Sequence, residues 1–123
     1  MRQFPADDPV QCMEWAKQVV GGKASYDEAA FVALARDQGA GEWPRIAALY
    51  ALGLVGSADV CPAIRHLLAD AGEIETVRSH AAEALGNLGD RDAARLLHDV
   101  LQDQPGKSLR ESCEYALSEI EPV

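Results

Sequence analysis

The sequence predicts an all-α fold, a right-handed solenoid of about three and a half helical hairpins in a single domain over residues 1–123. Three observations predict it. Segments of the chain resemble one another at a spacing of 32 or 33 residues, which is typical of stacked repeats. Apolar residues recur at helical spacing within each segment. Only two Phe, two Trp and three Tyr are present, so small aliphatic residues are left to fill the core, as between closely packed helices.

The repeat is clearest in two segments that begin at Arg45 and Arg78. The segments RIAALYALGLVGSAD and RSHAAEALGNLGDRD share Arg, Ala, Ala, Leu, Gly, Gly and Asp at a constant offset of 33. A further shift of 32 aligns RESCEYALSEI, which begins at Arg110, and a backward shift of 32 reaches a weaker copy around Ala16. Four copies of one unit therefore run through the chain.

Each unit is predicted to be a pair of antiparallel helices. Ala48, Ala51, Leu52 and Val55 fall at i, i+3, i+4 and i+7, which is one face of an α-helix. The predicted helices are 8–20, 26–38, 43–55, 59–71, 74–88, 91–103 and 108–120. They form helical pairs at about 8–38, 43–71 and 74–103 and a C-terminal capping helix at about 108–120.

The helix boundaries carry their own signals. Ser25-x-x-Glu28 and Ser108-x-x-Glu111 have the pattern of capping boxes. The spacing Gly86 to Gly89, repeated in the preceding unit, predicts that glycine ends the first helix of each pair. The equivalent positions Ala48, Ala81 and Cys113 are expected to face the core.

Charge and cysteine content exclude several classes of protein. The 20 acidic and 11 basic residues give a net charge of −9, which repels phosphate backbones, so nucleic-acid binding is not expected. Three widely separated cysteines without a CxxC pair predict buried, reduced thiols rather than disulfides or a zinc site. No apolar run approaches membrane-spanning length and no leader pattern begins the chain, so the expected location is cytoplasmic, with no membrane partner.

The pattern V-R-x-x-A-A-x-A-L-G-x-L-G-D at Val77 to Asp90 resembles the HEAT-like repeat named after the phycobilisome lyases. The resemblance covers residues 45–120 well and 9–38 weakly. It implies a helical solenoid and is specific for the fold rather than for a function.

A resemblance to HEAT-like repeats of the deoxyhypusine hydroxylase type would imply His-Glu pairs that hold a di-iron centre at the start of the first helices. The matching positions are Ser79-His80, Ile46-Ala47 and, after Glu111, Ser112; the chain contains no His-Glu dipeptide. Hydroxylase activity of that type is therefore not expected. No catalytic residue, metal ligand or cofactor is predicted.

Two surfaces are candidates for binding a partner. Tyr50, Glu83 and Tyr115 are equivalent outward positions on successive first helices, where tyrosine gives contact area at low entropic cost. Arg65, His66, Arg95 and His98 should face outward on the second helices, which are expected to line the concave side. The alternative for Tyr50, Glu83 and Tyr115 is an ordinary solvated face.

The leading hypothesis is a non-enzymatic module or scaffold that binds another protein. The alternatives are an accessory subunit or lyase-like protein that handles a tetrapyrrole chromophore, and a small acidic inhibitor or immunity-type protein with a basic partner. The expected oligomeric state is a monomer, or a weak dimer through the N-terminal end, where the first helix carries Met13 and Trp15.

Overall fold

The computed structural model describes residues 4–122, and all the regular structure among them is helical. The α-helices are α1 (Pro9–Val20), α2 (Glu28–Arg36), α3 (Glu42–Val55), α4 (Cys61–Ala69), α5 (Glu75–Leu88), α6 (Ala94–Gln102) and α7 (Lys107–Ile120). Short 3₁₀ turns at Ala58–Val60 and Arg91–Ala93 lead into α4 and α6. The predicted all-α solenoid is confirmed. Each predicted segment overlaps one of these α-helices, and α3 and α7 begin one residue before the predicted bounds.

The helices form two layers. The first helices of the units, α1, α3, α5 and α7, lie side by side and pack along their lengths, whereas α2, α4 and α6 touch one another only at a few points. Between the two layers, the largest contacts are those of α2 with α3, α4 with α5, and α6 with α7. We call the closely packed layer of first helices the inner layer and the layer of second helices the outer layer. That the second helices line the concave side stays a prediction.

Two glycines allow this close approach. A Cβ on Gly53 would lie 2.9 Å from the Cα of Ala84, and a Cβ on Gly86 would lie 2.7 Å from the Cα of Ala116. Backbones can come this near only where one side chain is missing. Gly89 has the left-handed conformation, φ 66°, and ends α5 as the pattern predicts.

Aspartates cap the first two helices. Asp8 Oδ1 accepts a hydrogen bond from the Gln11 amide at 2.9 Å, and Asp27 Oδ1 accepts one from Ala30 at 3.1 Å. The predicted capping box at Ser25 is wrong because Asp27 is the residue that precedes α2. The box at Ser108 is also wrong, since α7 begins one residue earlier, after Gly106. The side chain of Asp27 caps α2, whereas Gly106 precedes α7 without a side-chain cap.

One continuous core runs from Val19 in α1 to Ile120 in α7. Ala48, Ala81 and Cys113 are each fully buried in it, as predicted from their equivalent positions. The three thiols are free and buried. Burial raises the pKa of Cys113 to about 11, so this thiol is protonated at neutral pH. The core is therefore largely aliphatic, with Phe31 as a buried aromatic residue, and the thiols are free.

None of the helices described over residues 4–122 is long and apolar enough to cross a membrane. The cytoplasmic location stays a prediction.

Candidate binding surface

The structure brings the predicted residues Tyr50, Glu83 and Tyr115 into one stripe across α3, α5 and α7. His80 and Asn87 lie in the same stripe, one turn before and after Glu83 on α5. We call these five residues the inner stripe. Its members are partly or largely exposed while their helical neighbours at the core positions are buried. The stripe is the accessible side of the inner layer.

The inner stripe is a surface without a deep cavity. The hollow between α3 and α5 is lined by Tyr50, His80, Glu83 and Asn87, and its volume is only about 10 Å³. That is the space of one water molecule. Anything larger must bind across the stripe, in contact with several helices at once.

Hydrogen bonds fix two of the polar side chains. The Tyr115 hydroxyl donates to Asn87 Oδ1, which ties α7 to α5 on this face. His80 donates from Nδ1 to the carbonyl of Thr76 at 2.8 Å, one turn back in α5. This bond orients the imidazole, and Nε2 is the ring nitrogen that takes no part in it. The stripe is thus partly preorganised.

The local charge of the stripe is negative. The pKa of Tyr115 is raised, first by partial burial and then by the carboxylates of Glu119 and Glu83. The nearby carboxylates disfavour a second negative charge at this position, and they would favour a cation.

The four basic candidates on the second helices do not form one basic surface. Arg65 is paired with Asp90 at 2.9 Å, and His98 lies 2.8 Å from Glu121. His66 and Arg95 are exposed. All four belong to the outer layer, and the acidic partners of Arg65 and His98 offset two of the four basic groups.

The repeated arginines have structural roles in the first two full units. Arg45 donates from Nε to the Ala35 carbonyl at 3.0 Å, and Arg78 donates to the Leu68 carbonyl at 2.9 Å. Each arginine therefore satisfies a carbonyl near the C-terminal end of the preceding second helix. Arg45 also forms a bidentate pair with Glu73, at 3.0 and 2.6 Å. Its side chain is only 1% exposed.

The residues at the His-Glu positions of the hydroxylase-type repeat do not fit a metal centre. Ser79 is buried against α7, where its hydroxyl accepts a hydrogen bond from Ser108 at 3.3 Å. Ile46 and Ala47 are buried and have no donor atom in their side chains. Within residues 4–122 no three His, Cys, Asp or Glu side chains come together as a metal site. The described repeats lack the ligands that a di-iron centre needs.

Comparison with known proteins supports the fold and revises the expected function. The family described as HEAT repeats matches residues 29–118. The chain therefore belongs to the HEAT-repeat family. No significant match was found among solved structures.

The curated relatives are enzymes. The chain is 39% identical over 71 residues to the deoxyhypusine hydroxylase of Saccharomyces cerevisiae, covering 58% of the chain and 22% of that protein. It is 39% identical over 76 residues to the deoxyhypusine hydroxylase of Arabidopsis thaliana, covering 62% and 24%. Identity to deoxyhypusine hydroxylase-B of Oryza sativa subsp. japonica is 38% over 74 residues, covering 60% and 24%. The chain spans about a quarter of the length of these relatives or slightly less.

These relatives overturn the leading functional hypothesis. A non-enzymatic interaction scaffold is contradicted by the hydroxylases that the chain matches. The tetrapyrrole and inhibitor alternatives are not better supported, because the matching relatives are hydroxylases rather than lyases or immunity proteins. The HEAT-like assignment itself is confirmed.

Sequence reasoning missed two members of the inner stripe. His80, Glu83 and Asn87 stand at i, i+3 and i+7, which is the spacing of a single helical face. The spacing alone predicts that these three residues share one face, whereas equivalence between units points only to Tyr50, Glu83 and Tyr115. The partner of Arg45 was also missed, since Glu73 lies in a loop 28 residues away.

Proposed function

We propose that this chain contributes substrate binding to an enzyme of the deoxyhypusine hydroxylase type, with the inner stripe holding an amine-bearing side chain of a protein substrate. The proposal rests on the position of Glu83, which is half-buried between two tyrosines on the inner layer. The chain is also similar to proteins named deoxyhypusine hydroxylase. Deoxyhypusine is a lysine derivative whose side chain carries cationic amines. A carboxylate flanked by aromatic rings suits such a group.

Charge and shape support the same assignment. The net charge of −9 attracts a cationic segment over long range. The inner stripe is shallow, so it suits a side chain presented by another protein better than a free small molecule. The amide of Asn87 and the hydroxyl of Tyr115, both in the stripe, offer further polar contacts.

In this proposal the oxidation is not carried out by the repeats described here. Their His-Glu positions hold Ser79-His80 and Ile46-Ala47, which do not supply a pair of iron ligands. The division of labour is therefore binding by this chain and iron-dependent chemistry by repeats that carry His-Glu pairs.

The test uses a fluorescent peptide with one deoxyhypusine residue and a matched peptide in which the side-chain amines are acetylated. Fluorescence anisotropy should show tighter binding of the amine peptide, and Glu83→Gln should weaken that binding by about fivefold to tenfold. Asp99→Asn changes an exposed carboxylate of α6 on the outer layer and is the matched control. Mass spectrometry after incubation with iron(II) and oxygen should show no hydroxylated peptide.

Two results would overturn the proposal. Equal affinity for the amine and acetylated peptides would remove the recognition of the cation. Hydroxylation by the isolated chain would show that it holds the catalytic centre itself.

A further inference from the structure

A second recessed region lies away from the inner stripe, where the segment before α1 meets α1 and the start of α2. Its lining residues are Phe4, Trp15, Ser25, Asp27, Ala30 and Phe31. Its volume is about 330 Å³, which is within the range of small-molecule pockets. We call it the aromatic pocket.

Three aromatic rings form one wall of the aromatic pocket. The rings of Phe4 and Trp15 meet edge to face with centroids 5.5 Å apart, and the ring centroids of Trp15 and Phe31 are 4.9 Å apart. Phe31 is buried, whereas Phe4 and Trp15 are only half-buried, so part of their rings remains accessible from the pocket. Three of the few aromatic residues of the chain therefore lie at this pocket. The ring of Tyr26 meets Phe31 edge to face, with ring centroids 5.2 Å apart.

Two polar residues, Ser25 and Asp27, also line the pocket. Asp27 supplies a carboxylate, one oxygen of which caps α2 by accepting a hydrogen bond from the Ala30 amide at 3.1 Å. The aspartate also offsets the partial positive charge of the helix start. Among residues 4–122, no arginine or lysine lines the pocket. The described lining thus combines aromatic rings with one carboxylate.

We infer that the aromatic pocket binds an organic ammonium group, of the alkylated or quaternary kind, against the rings of Phe4 and Trp15 with Asp27 as counter-charge. A quaternary ammonium is attracted by aromatic faces and has no hydrogen-bond donors to satisfy. The overall negative charge of the chain favours its entry. The inference is independent of the proposed function, since neither Phe4 nor Trp15 belongs to the inner stripe or to the matched residues 29–118.

Tryptophan fluorescence tests this directly. In a Trp43→Phe background, Trp15 is the sole tryptophan and reports on the pocket. Choline should change the fluorescence emission of Trp15 in a saturable way. The neutral isostere of choline, 3,3-dimethyl-1-butanol, should bind about tenfold more weakly or not at all. A peptide with trimethyllysine replaces choline in a parallel titration. Binding of either cation supports the inference, and the tighter one identifies the source of the ammonium group.

Two helix caps provide matched variants. Asp27→Asn removes the pocket charge while asparagine still caps α2, and it should weaken choline binding by about threefold to tenfold. Asp8→Asn makes the same change at the cap of α1, outside the pocket lining, and should leave binding unchanged. Circular dichroism shows whether both variants keep their helices. Equal binding of the neutral isostere, absence of binding by both cations, or equal effects of the two variants would overturn the inference.

Discussion

The buried pair of Arg45 and Glu73 gives the sharpest test of the structure. The two side chains are 1% and 3% exposed and meet through two hydrogen bonds, while Arg45 Nε binds the Ala35 carbonyl. In Glu73→Gln the guanidinium stays buried without a counter-charge. Loss of one partner from such a pair costs about 3–5 kcal/mol of unfolding free energy. That is a large part of the roughly 5–15 kcal/mol that stabilises a typical domain.

The measurement is urea unfolding followed by far-UV circular dichroism. Glu111→Gln is the control, because it breaks the exposed pair with Lys107, which is 3.9 Å apart and contributes little. The double variant Arg45→Met, Glu73→Leu should recover most of the loss, since both charges leave the core together. If Glu73→Gln unfolds at the same urea concentration as Glu111→Gln, the pair is not dehydrated in solution and the reasoning fails.

The same pair predicts a pH dependence. Hydrogen bonds from Arg45 hold the pKa of Glu73 below its ordinary value of 4.5, although burial acts in the opposite direction. A carboxylate with a lowered pKa in the folded state stabilises the protein above the unfolded-state pKa, and this contribution is lost as the pH falls through the folded-state pKa. Unfolding free energy should therefore drop below about pH 4.5, more steeply in the native protein than in the double variant. Parallel pH profiles for the two proteins would contradict this.

Three further predictions concern the core. Gly86→Ala should destabilise by about 1–3 kcal/mol in urea unfolding despite the better helix propensity of alanine, because the new methyl would meet Ala116; a stabilised variant would refute the close approach of α5 and α7. Leu85→Ala should lose about 2–5 kcal/mol by opening a cavity, whereas Tyr50→Ala on the half-buried surface should lose less, and the reverse order would show that the assigned faces are wrong. Iodoacetamide should modify Cys113 slower by a factor on the order of 100 in the native protein than in urea, since this thiol is fully buried and its pKa is raised to about 11; similar rates would mean that the α5–α7 contact opens readily.

Comparison with the relatives changed the functional conclusion but left the fold assignment unchanged. The absence of His-Glu pairs is a property of the sequence, and the structure shows why the matching positions cannot substitute for them: Ser79 is buried against Ser108, and Ile46 and Ala47 belong to the core side of α3. Similarity to hydroxylases nevertheless excludes the simplest scaffold interpretation. The proposed binding of an amine-bearing substrate is compatible with both observations.

The sequence by itself determined the helices, their order and their buried faces. Apolar periodicity identifies the buried face of one helix, and repeat spacing identifies the equivalent positions in other units. Ala48, Ala81 and Cys113 could therefore be assigned to the core from their positions alone. Tyr50, Glu83 and Tyr115 could likewise be placed on one surface, because equivalent positions in stacked units face the same way.

Only the tertiary structure decided which layer is closely packed and which distant residues meet. Glu73 reaches Arg45 across 28 residues, and Phe4 meets Phe31 from a segment outside the repeat. Gly53 and Gly86, which the pattern assigned to helix ends, are contact points between neighbouring helices. These features depend on the distance and angle between packed helices, which local periodicity does not encode.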